Sequence, residues 1–283
     1  EEKNKSKNKI AIIYAEGGID GKDENIHSGY TKTIKKVLED DDINAVVFRV
    51  NSPGGSALIS DEILSQMKLS KQDKPIVVSM GNYAASGGYY IACAADKILA
   101  SPMTITGSIG VFGLFFTGEE LLTEKMKLHY SNVKTNKFSN LGAIHRSLSN
   151  EERSFIQMSV KNTYNDFITH VAEGRGMTIK EVDDIGQGRV WTGLRGEKIG
   201  IVDSLGGLTA AIETAAKLAE INNFKLEEFP KTKNSIDVFL QTLEEVKGFN
   251  TKTIEDIYFD QIEEKILNMQ GIQALLPIEY NIN

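Results

Sequence analysis

Residues 81–96 read GNYAASGGYYIACAAD, and the rest of the chain is arranged around this stretch. It follows the apolar run 76–80 and passes into good helix formers, which predicts a strand, a tight turn and a helix. Ser86 falls on the turn among small residues, so a substrate carbonyl could approach its hydroxyl. The N–H groups that open the helix would face a negative charge forming there. A packing turn with an incidental serine is the alternative interpretation of this stretch alone.

A second glycine-rich turn lies earlier in the chain. The run INAVVFRV (43–50) predicts a buried strand that leads into NSPGGSA (51–57) and a helix over 58–69. Gly54 and Gly55 therefore also follow the carboxyl end of a strand. One turn offers glycine N–H groups and the other a hydroxyl, which is the pairing of an oxyanion hole with its nucleophile.

Four separated motifs resemble the signal peptide peptidase A family of serine endopeptidases, also called protease IV. They are NSPGG (51–55), MGNYAASGGYYIACAAD (80–96), TITGSIGVFG (104–113), and QGRVWTG with GIVDSLGGL (within 187–208). The resemblance runs from about residue 10 to about residue 219. It implies an α/β fold of the crotonase and Clp-protease type, a spiral of repeated strand-strand-helix units. More narrowly, the chain resembles the C-terminal half of the family's long, two-repeat form.

The resemblance also implies roles for individual residues. Ser86 would be the nucleophile, and the N–H groups of Gly87 and of the Gly54/Gly55 turn would form the oxyanion hole. In short-form members a lysine in the loop after the next strand is the base, and Lys137 occupies that position here. In the long form the lysine comes from the N-terminal half, so a lysine of a partner repeat is the other candidate.

The residues themselves leave the base open. A serine hydroxyl is a weak nucleophile and needs a positioned base, usually histidine and sometimes lysine. Among the four histidines, His27 is interpreted as a solvated or capping residue and His170 as structural, while no role is assigned to His129. His145, in the irregular segment 135–147, is the histidine alternative. A lysine base is favoured, and only a desolvated lysine could accept a proton near neutral pH.

Short apolar residues flank the two turns and predict an apolar cleft; they are Leu58, Ile59, Val111 and Phe112. Such a cleft suits short apolar peptides such as released signal peptides, cut through an acyl-enzyme intermediate. Two alternatives remain. The chain could be a catalytically silent scaffold repeat, or a crotonase relative that binds acyl-CoA and uses the glycine turns only as anion sites.

The charge and composition of the chain limit the classes of partner and cofactor that it is expected to bind. The net charge is −7 over 283 residues with no basic cluster, so nucleic acid is not expected to bind. There are no metal-spaced Cys or His pairs, and neither a metal nor a cofactor is expected. The single Cys93 is predicted to be a small buried hydrophobe. No apolar run is long enough to span a bilayer. The resemblance therefore implies attachment at the bacterial cell envelope through an upstream anchor absent from this chain.

Three segments are predicted: a polar linker or cut end over 1–9, a catalytic domain over 10–221, and a partly helical appendage over 222–283. The appendage would begin with an edge strand, FKLEEFP, and continue with two candidate helices. Within the domain, GEELLTEKMK (118–127) predicts a helix and LHYSNVK (128–134) a strand.

A capping box at Ser149 and Glu152 predicts a long helix to about Glu173 with an apolar stripe. Thr178 and Glu181 predict a second capping box, and 208–221 a final helix. The stripe could be core or a partner surface. Together with the family's assemblies, it predicts a homo-oligomer or docking on an N-terminal repeat.

Overall fold

The structure is a computed structural model that describes residues 6–22, 25–70, 74–230 and 271–275. Strands and helices alternate along the chain as the sequence predicts for an α/β fold. The strands are β1 (Lys9–Glu16), β2 (Ile43–Ser52), β3 (Gly54–Ser56), β4 (Ile76–Ala85), β5 (Lys97–Ala100), β6 (Ile105–Gly107), β7 (Phe112–Leu114), β8 (Val190–Thr192), β9 (Ser204–Leu205), β10 (Lys225–Phe229) and β11 (Gly271–Leu275). The α-helices are α1 (Tyr30–Glu39), α2 (Ala57–Ser70), α3 (Gly87–Ala92), α4 (Asn150–Arg175), α5 (Ile179–Ile185), α6 (Gly193–Lys198) and α7 (Leu208–Leu218).

The main sheet has the order β10-β1-β2-β4-β5-β9, and all of these neighbours are parallel. The long strand β4 also pairs with β6, which pairs antiparallel with β8. Because parallel strands end at one edge of a sheet, the carboxyl ends of β2 and β4 lie side by side, with Ser52 opposite Ala84. A smaller sheet has the order β3-β11-β7.

Both faces of the main sheet are buried, and β1 shows how the sequence achieves this. Side chains alternate along a strand, so Ala11 and Ile13 belong to the core cluster that includes residues of α2 and α4. Ile10 and Ile12 belong to the cluster on the opposite face, which includes Ala211 of α7. Each buried isoleucine contributes about 1.5–3 kcal/mol, which makes the sheet a rigid platform for its edge.

Helix α4 begins where the capping box predicts. Ser149 Oγ accepts the Glu152 N–H (3.2 Å), and the Glu152 carboxylate accepts the Ser149 N–H (2.8 Å). The helix ends at Gly176, whose φ of 63° is the left-handed conformation that glycine adopts at low cost. The second capping box, at Thr178 and Glu181, is likewise formed.

The apolar stripe of α4 divides into two parts. Phe167 and Val171, near its C-terminal end, are buried in the core. Phe155, in its first half, is 59% exposed, while Ile156 and Val160 are partly buried. The stripe is therefore core in the second half of the helix and partly exposed in the first half.

Three predicted elements differ from the structure. The predicted strand over 128–134 is wrong: these residues have no regular structure, Val133 is fully exposed, and no strand of the described residues pairs with them. The predicted helix over 118–127 is a short π-helical turn, Glu120–Lys125. The final helix stops at Leu218, short of residue 221. The irregular segment over 135–147 is confirmed, and no residue of 126–149 is buried.

Parts of the predicted appendage are described. The edge strand is confirmed as β10, which pairs with β1 at the end of the main sheet. Residues 271–275 form a strand, where the appendage was expected to be partly helical. The remainder of the two candidate helices lies outside the described residues.

Candidate active site

Ser86 lies between β4 and α3 in a conformation that non-glycine residues rarely adopt. Its φ of 54° and ψ of −117° lie outside the populated regions, which costs of order 1–3 kcal/mol. The surrounding backbone holds it there: its N–H donates to the Gly107 carbonyl (2.8 Å), and its carbonyl accepts the Tyr90 N–H (2.8 Å). Strain of this kind persists where the fold dictates one side-chain position. The hydroxyl is completely buried.

The second turn, at Gly54 and Gly55, also requires glycine. Both have positive φ, 97° and 152°. A Cβ on Gly55 would overlap the Ile19 carbonyl, while the Gly54 carbonyl accepts the Ile19 N–H (2.9 Å). The Gly54 N–H donates to Ser52 Oγ (3.1 Å), so that donor is already engaged.

The two turns meet. A Cβ on Gly54 would lie 2.6 Å from the Gly87 nitrogen, and a Cβ on Gly87 would lie 3.1 Å from the Gly54 Cα. Asn51 links the strands that carry the turns, because its Oδ1 accepts the Asn82 N–H (3.0 Å). Backbone of the Gly54/Gly55 turn therefore packs directly beside the residue that follows Ser86. This is the arrangement that an oxyanion hole beside a nucleophile requires.

The Ser86 hydroxyl faces the turn before β7. Its Oγ donates to the Gly110 carbonyl (3.3 Å). Gly110 also lines a cavity of about 520 Å³ between this turn and α4, whose walls include Val111 and Phe112 together with Val160 and Tyr164. Two of the predicted substrate-binding residues thus line a cavity that reaches the backbone partner of the nucleophile.

The other two predicted substrate-binding residues lie on α2. Leu58 is 69% exposed, and Ile59 is half-buried and packs against the core. A Cβ on Gly21 would lie 3.4 Å from Ile59 Cδ1, so this side chain borders the loop that follows β1. Neither residue lines the cavity next to Gly110.

Lys137 lies on the exposed segment before α4. Its ammonium forms an ion pair with the Glu151 carboxylate and lies 5.8 Å from the centre of the Phe138 ring. Its side chain is 67% exposed. A lysine that acts as a general base is expected to be desolvated, and this exposed side chain is not. In this conformation Lys137 is a surface residue.

Three of the histidines have defined contacts. His27 Nδ1 accepts the Gly29 N–H (3.1 Å), which is the predicted capping role. His145 stacks on Tyr130, with 4.5 Å between ring centres, and its Nε2 lies 3.1 Å from Asn132 Oδ1. His170 Nδ1 lies 2.8 Å from Lys68 Nζ, within a polar cluster that joins α4 to α2.

Two features of the site are absent from the sequence-based prediction. One is the Gly110 carbonyl. It is a backbone atom, so the residue type at position 110 does not reveal its contact with Ser86. The other is Ala274 on β11, whose carbonyl oxygen overlaps the position of a Gly54 Cβ and lies 2.9 Å from that of a Gly87 Cβ. The apolar run GIQALLP (271–277) within a polar tail is the signal that could have indicated a buried strand.

Burial raises the pKa of the Cys93 thiol to about 12, so it stays protonated as the predicted buried hydrophobe. The described residues contain no cluster of His, Cys, Asp or Glu that could hold a metal ion. Along the same residues, no helix combines the length and apolar character needed to cross a bilayer.

Comparison with known proteins identifies the family of this chain. Peptidase family S49 matches residues 68–222, a span that includes Ser86. Protease 4 of Salmonella typhi is 38% identical over 239 residues, which are 83% of this chain and 38% of that protein. Serine protease SPPA, chloroplastic, of Arabidopsis thaliana is 39% identical over 189 residues, which are 66% of this chain and 28% of that protein. The chain thus spans well under half the length of these relatives.

Solved structures show the same fold. The 1510-N membrane-bound stomatin-specific protease, in a mutant form, superposes with a TM-score of 0.52 at 16% identity, over 80% of this chain and 100% of that one. The same protease in complex with a substrate peptide gives a TM-score of 0.50 at 16% identity, over 83% and 97%. The predicted fold class is confirmed. With its sequence match spanning more than half of the residues, the chain belongs to peptidase family S49.

Proposed function

We propose that this chain carries the nucleophile and oxyanion hole of a serine endopeptidase that cuts short apolar peptides, such as released signal peptides. The observation that carries the proposal is the strained, buried Ser86 beside Gly54 and Gly87. Backbone strain of this kind clusters at active sites, so a φ of 54° at a buried hydroxyl supports a chemical role. Membership of a peptidase family is the independent support.

The chemistry follows from the placement of the groups. The Ser86 hydroxyl attacks the substrate carbonyl as a base removes its proton, and the carbonyl oxygen becomes an oxyanion. The N–H groups of Gly87 and of the Gly54/Gly55 turn bind that oxyanion, since backbone N–H groups on rigid elements need no reorganisation. The base returns its proton to the leaving amine, and water then hydrolyses the acyl-enzyme.

The base in this proposal is a lysine from another repeat or subunit. Lys137 is the candidate within the chain, but its ammonium is exposed and paired with Glu151. A lysine delivered by a docked partner would lose its water as the interface closes, which disfavours its charged form and prepares it to accept a proton. His145 is engaged with Tyr130 and Asn132 on the surface.

Exposed apolar side chains supply a candidate partner surface. They lie along 121–144 and on the first half of α4, where a second repeat or subunit could cover them. They include Leu121, Met126, Leu128, Phe138, Ile144, Phe155 and Met158. The expected homo-oligomer, or docking on an N-terminal repeat, rests on this surface.

The expected substrates and location belong to the same proposal. Val111 and Phe112 give the cavity beside Gly110 an apolar wall, which suits apolar side chains of a peptide. Location at the bacterial cell envelope follows from the family resemblance and the apolar substrates. Neither a metal nor a cofactor has a part in this chemistry.

A fluorophosphonate probe tests the proposal in the full-length protein. The probe reacts with serine only where the hydroxyl is activated and an oxyanion hole is formed. Mass spectrometry of the labelled protein should place the adduct on the peptide that contains Ser86. A full-length, folded protein that shows no adduct at Ser86 would instead be the silent scaffold repeat. Binding of acyl-CoA without labelling would favour the crotonase alternative.

A further inference from the structure

Strand β11 lies between the two strands that border the candidate active site. It pairs antiparallel with β3, where Ala274 is opposite Gly55 and Leu275 is opposite Gly54. On its other edge it pairs antiparallel with β7, where Gln273 is opposite Phe112. β3 carries the glycines of the predicted oxyanion hole, and β7 follows the turn whose Gly110 carbonyl accepts the Ser86 hydroxyl. An extended segment of this chain therefore fills the cleft across which a substrate would lie.

The carbonyl of Ala274 points into the most restricted part of this cleft. Its oxygen lies so close to Gly54 that a Cβ there would overlap it, and only 2.9 Å from the position of a Cβ on Gly87. These are glycines from both turns, and a scissile carbonyl would enter the space between them. The Ala274 carbonyl thus occupies the space between the two glycines.

With β11 bound between β3 and β7, the candidate site is closed to solvent. Ala274 and Ser86 have no exposed surface, and Gln273 is 7% exposed. A nucleophile that acts on peptides must be reached from solvent, so a fully buried Ser86 describes a closed state. An extended peptide added to exposed strand edges is a common mode of peptide recognition. Here the peptide is the protein's own.

We propose that residues 271–275 bind between β3 and β7 as a substrate-like strand, an intramolecular inhibitor that a peptide substrate must displace. This inference rests on the proposed peptidase function. The segment is short and joined to β10 through residues 231–270, so displacement costs five residues of strand pairing without loss of the main sheet. Ala274 occupies the position of the substrate residue whose carbonyl enters the oxyanion hole.

The magnitude of inhibition follows from tethering. A segment tethered to its binding site can have an effective concentration in the millimolar range, and a short strand with a dissociation constant of about 0.1 mM would then reduce access about tenfold. Breaking the strand should raise the rate of Ser86 labelling by about that factor. Proline in a strand paired on both edges removes a ladder hydrogen bond, so Ala274→Pro breaks it with a small side chain. Lys134→Pro is the matched control, because it introduces the same residue at an exposed position that belongs to no helix or strand.

The test measures the rate at which a fluorophosphonate labels Ser86 in the full-length protein and in both variants, with folding checked by circular dichroism. Ala274→Pro should label about tenfold faster than wild type, and Lys134→Pro at the wild-type rate. If none of the three proteins is labelled, the proposed peptidase function itself is wrong. Labelling of a folded Ala274→Pro at the wild-type rate or slower would overturn the inhibitor alone.

If Ala274→Pro does not fold, a second measurement tests whether β11 inhibits the site. A protease recognition site inserted within residues 231–270 allows the folded full-length protein to be cut, so that the segment loses its tether. Labelling should then accelerate after cutting and slow again when a synthetic peptide of residues 271–283 is added. An unchanged rate after complete cutting would show that β11 is a permanent part of the fold, and the inference would be wrong.

Discussion

The two glycine turns, residues 52–56 and 85–88, differ sharply from the surface loop, residues 126–149. In the glycine turns nearly every group is buried, and backbone contacts determine the position of Ser86 and its neighbours. In the surface loop no residue is buried, and its ordered contacts are a few polar pairs and stacked rings. The proposed nucleophile is therefore positioned by the core of this chain, while the segment that holds Lys137 has no core of its own. Under the proposed function, a site divided in this way needs additional surface to complete its base.

The largest expected effect is the loss of the nucleophile. Ser86→Ala in the full-length protein should reduce peptide turnover by at least about 10⁴-fold, because no acyl-enzyme can form. Turnover of a Leu/Ala-rich fluorogenic peptide measures this. Ser204→Ala, at an exposed position on β9, is the control and should leave turnover unchanged. Near wild-type turnover in Ser86→Ala would mean that the buried turn is packing alone.

The next effect tests whether the glycine turns form a rigid oxyanion hole. In Gly54→Ala the new Cβ would lie 2.6 Å from the Gly87 nitrogen, and the residue would have to keep a φ of 97°. Distortion of the hole should lower kcat by about 10²–10³-fold, the usual cost of losing one oxyanion donor.

Gly142→Ala in the surface loop is the matched control for Gly54→Ala. Gly142 also has a positive φ, 81°, but a Cβ there meets nothing within 4 Å. Its alanine variant should lose about 1–2 kcal/mol of stability from backbone strain and keep its kcat. Equal kcat losses in the two variants would show that strain, and not the hole, explains the effect.

The local structure of the glycine turns was also easier to predict from the sequence than that of other parts of the molecule. Gly54, Gly55 and Gly87 were identifiable because an apolar run followed by small residues admits few conformations, and each position indeed excludes a Cβ. The capping box at Ser149 and Glu152 was equally local, since both of its bonds join residues three apart.

The failures have a different origin. LHYSNVK over 128–134 has the composition of a strand, but a strand needs a neighbour, and sequence does not say whether an edge is available. Ala274 lies far along the chain from Gly54, and nothing local predicts that its carbonyl reaches that turn. Long-range pairing was therefore beyond the sequence, whereas local backbone restriction was not.

A smaller effect concerns the pH dependence of stability at the junction between the surface loop and α4. Arg146 donates to the Glu152 carboxylate through Nη1 (2.8 Å) and Nη2 (2.5 Å), and with the Ser149 N–H this lowers the pKa of Glu152 to about 2. The unfolded pKa is about 4.3, so the carboxylate stabilises the fold above that pH. This contribution is lost as the pH falls from about 4.3 to about 2.

Stability of the loop junction against pH tests that assignment. Wild-type protein should lose protection from hydrogen exchange in the first turn of α4 over that acidic range. Glu152→Gln should lack this step and show lower protection at neutral pH. Glu151→Gln, at the exposed neighbouring position, should keep the acid step. An identical pH profile in wild type and Glu152→Gln would show that the junction is held by other contacts.

The smallest expected effect tests whether the base is Lys137 or a lysine from a partner repeat or subunit. Lys137 is 67% exposed and paired with the Glu151 carboxylate, and neither feature prepares it to accept the Ser86 proton. If the base comes from a partner repeat or subunit, Lys137→Ala in the full-length protein removes only a surface ion pair, so turnover should stay within about twofold of wild type. Lys134→Ala, three residues earlier and equally exposed, should behave in the same way. A selective loss of about 10³-fold or more in Lys137→Ala would place the base within this chain. It would also require the surface loop to move its lysine from Glu151 to Ser86, so the loop would then be the mobile half of a complete site.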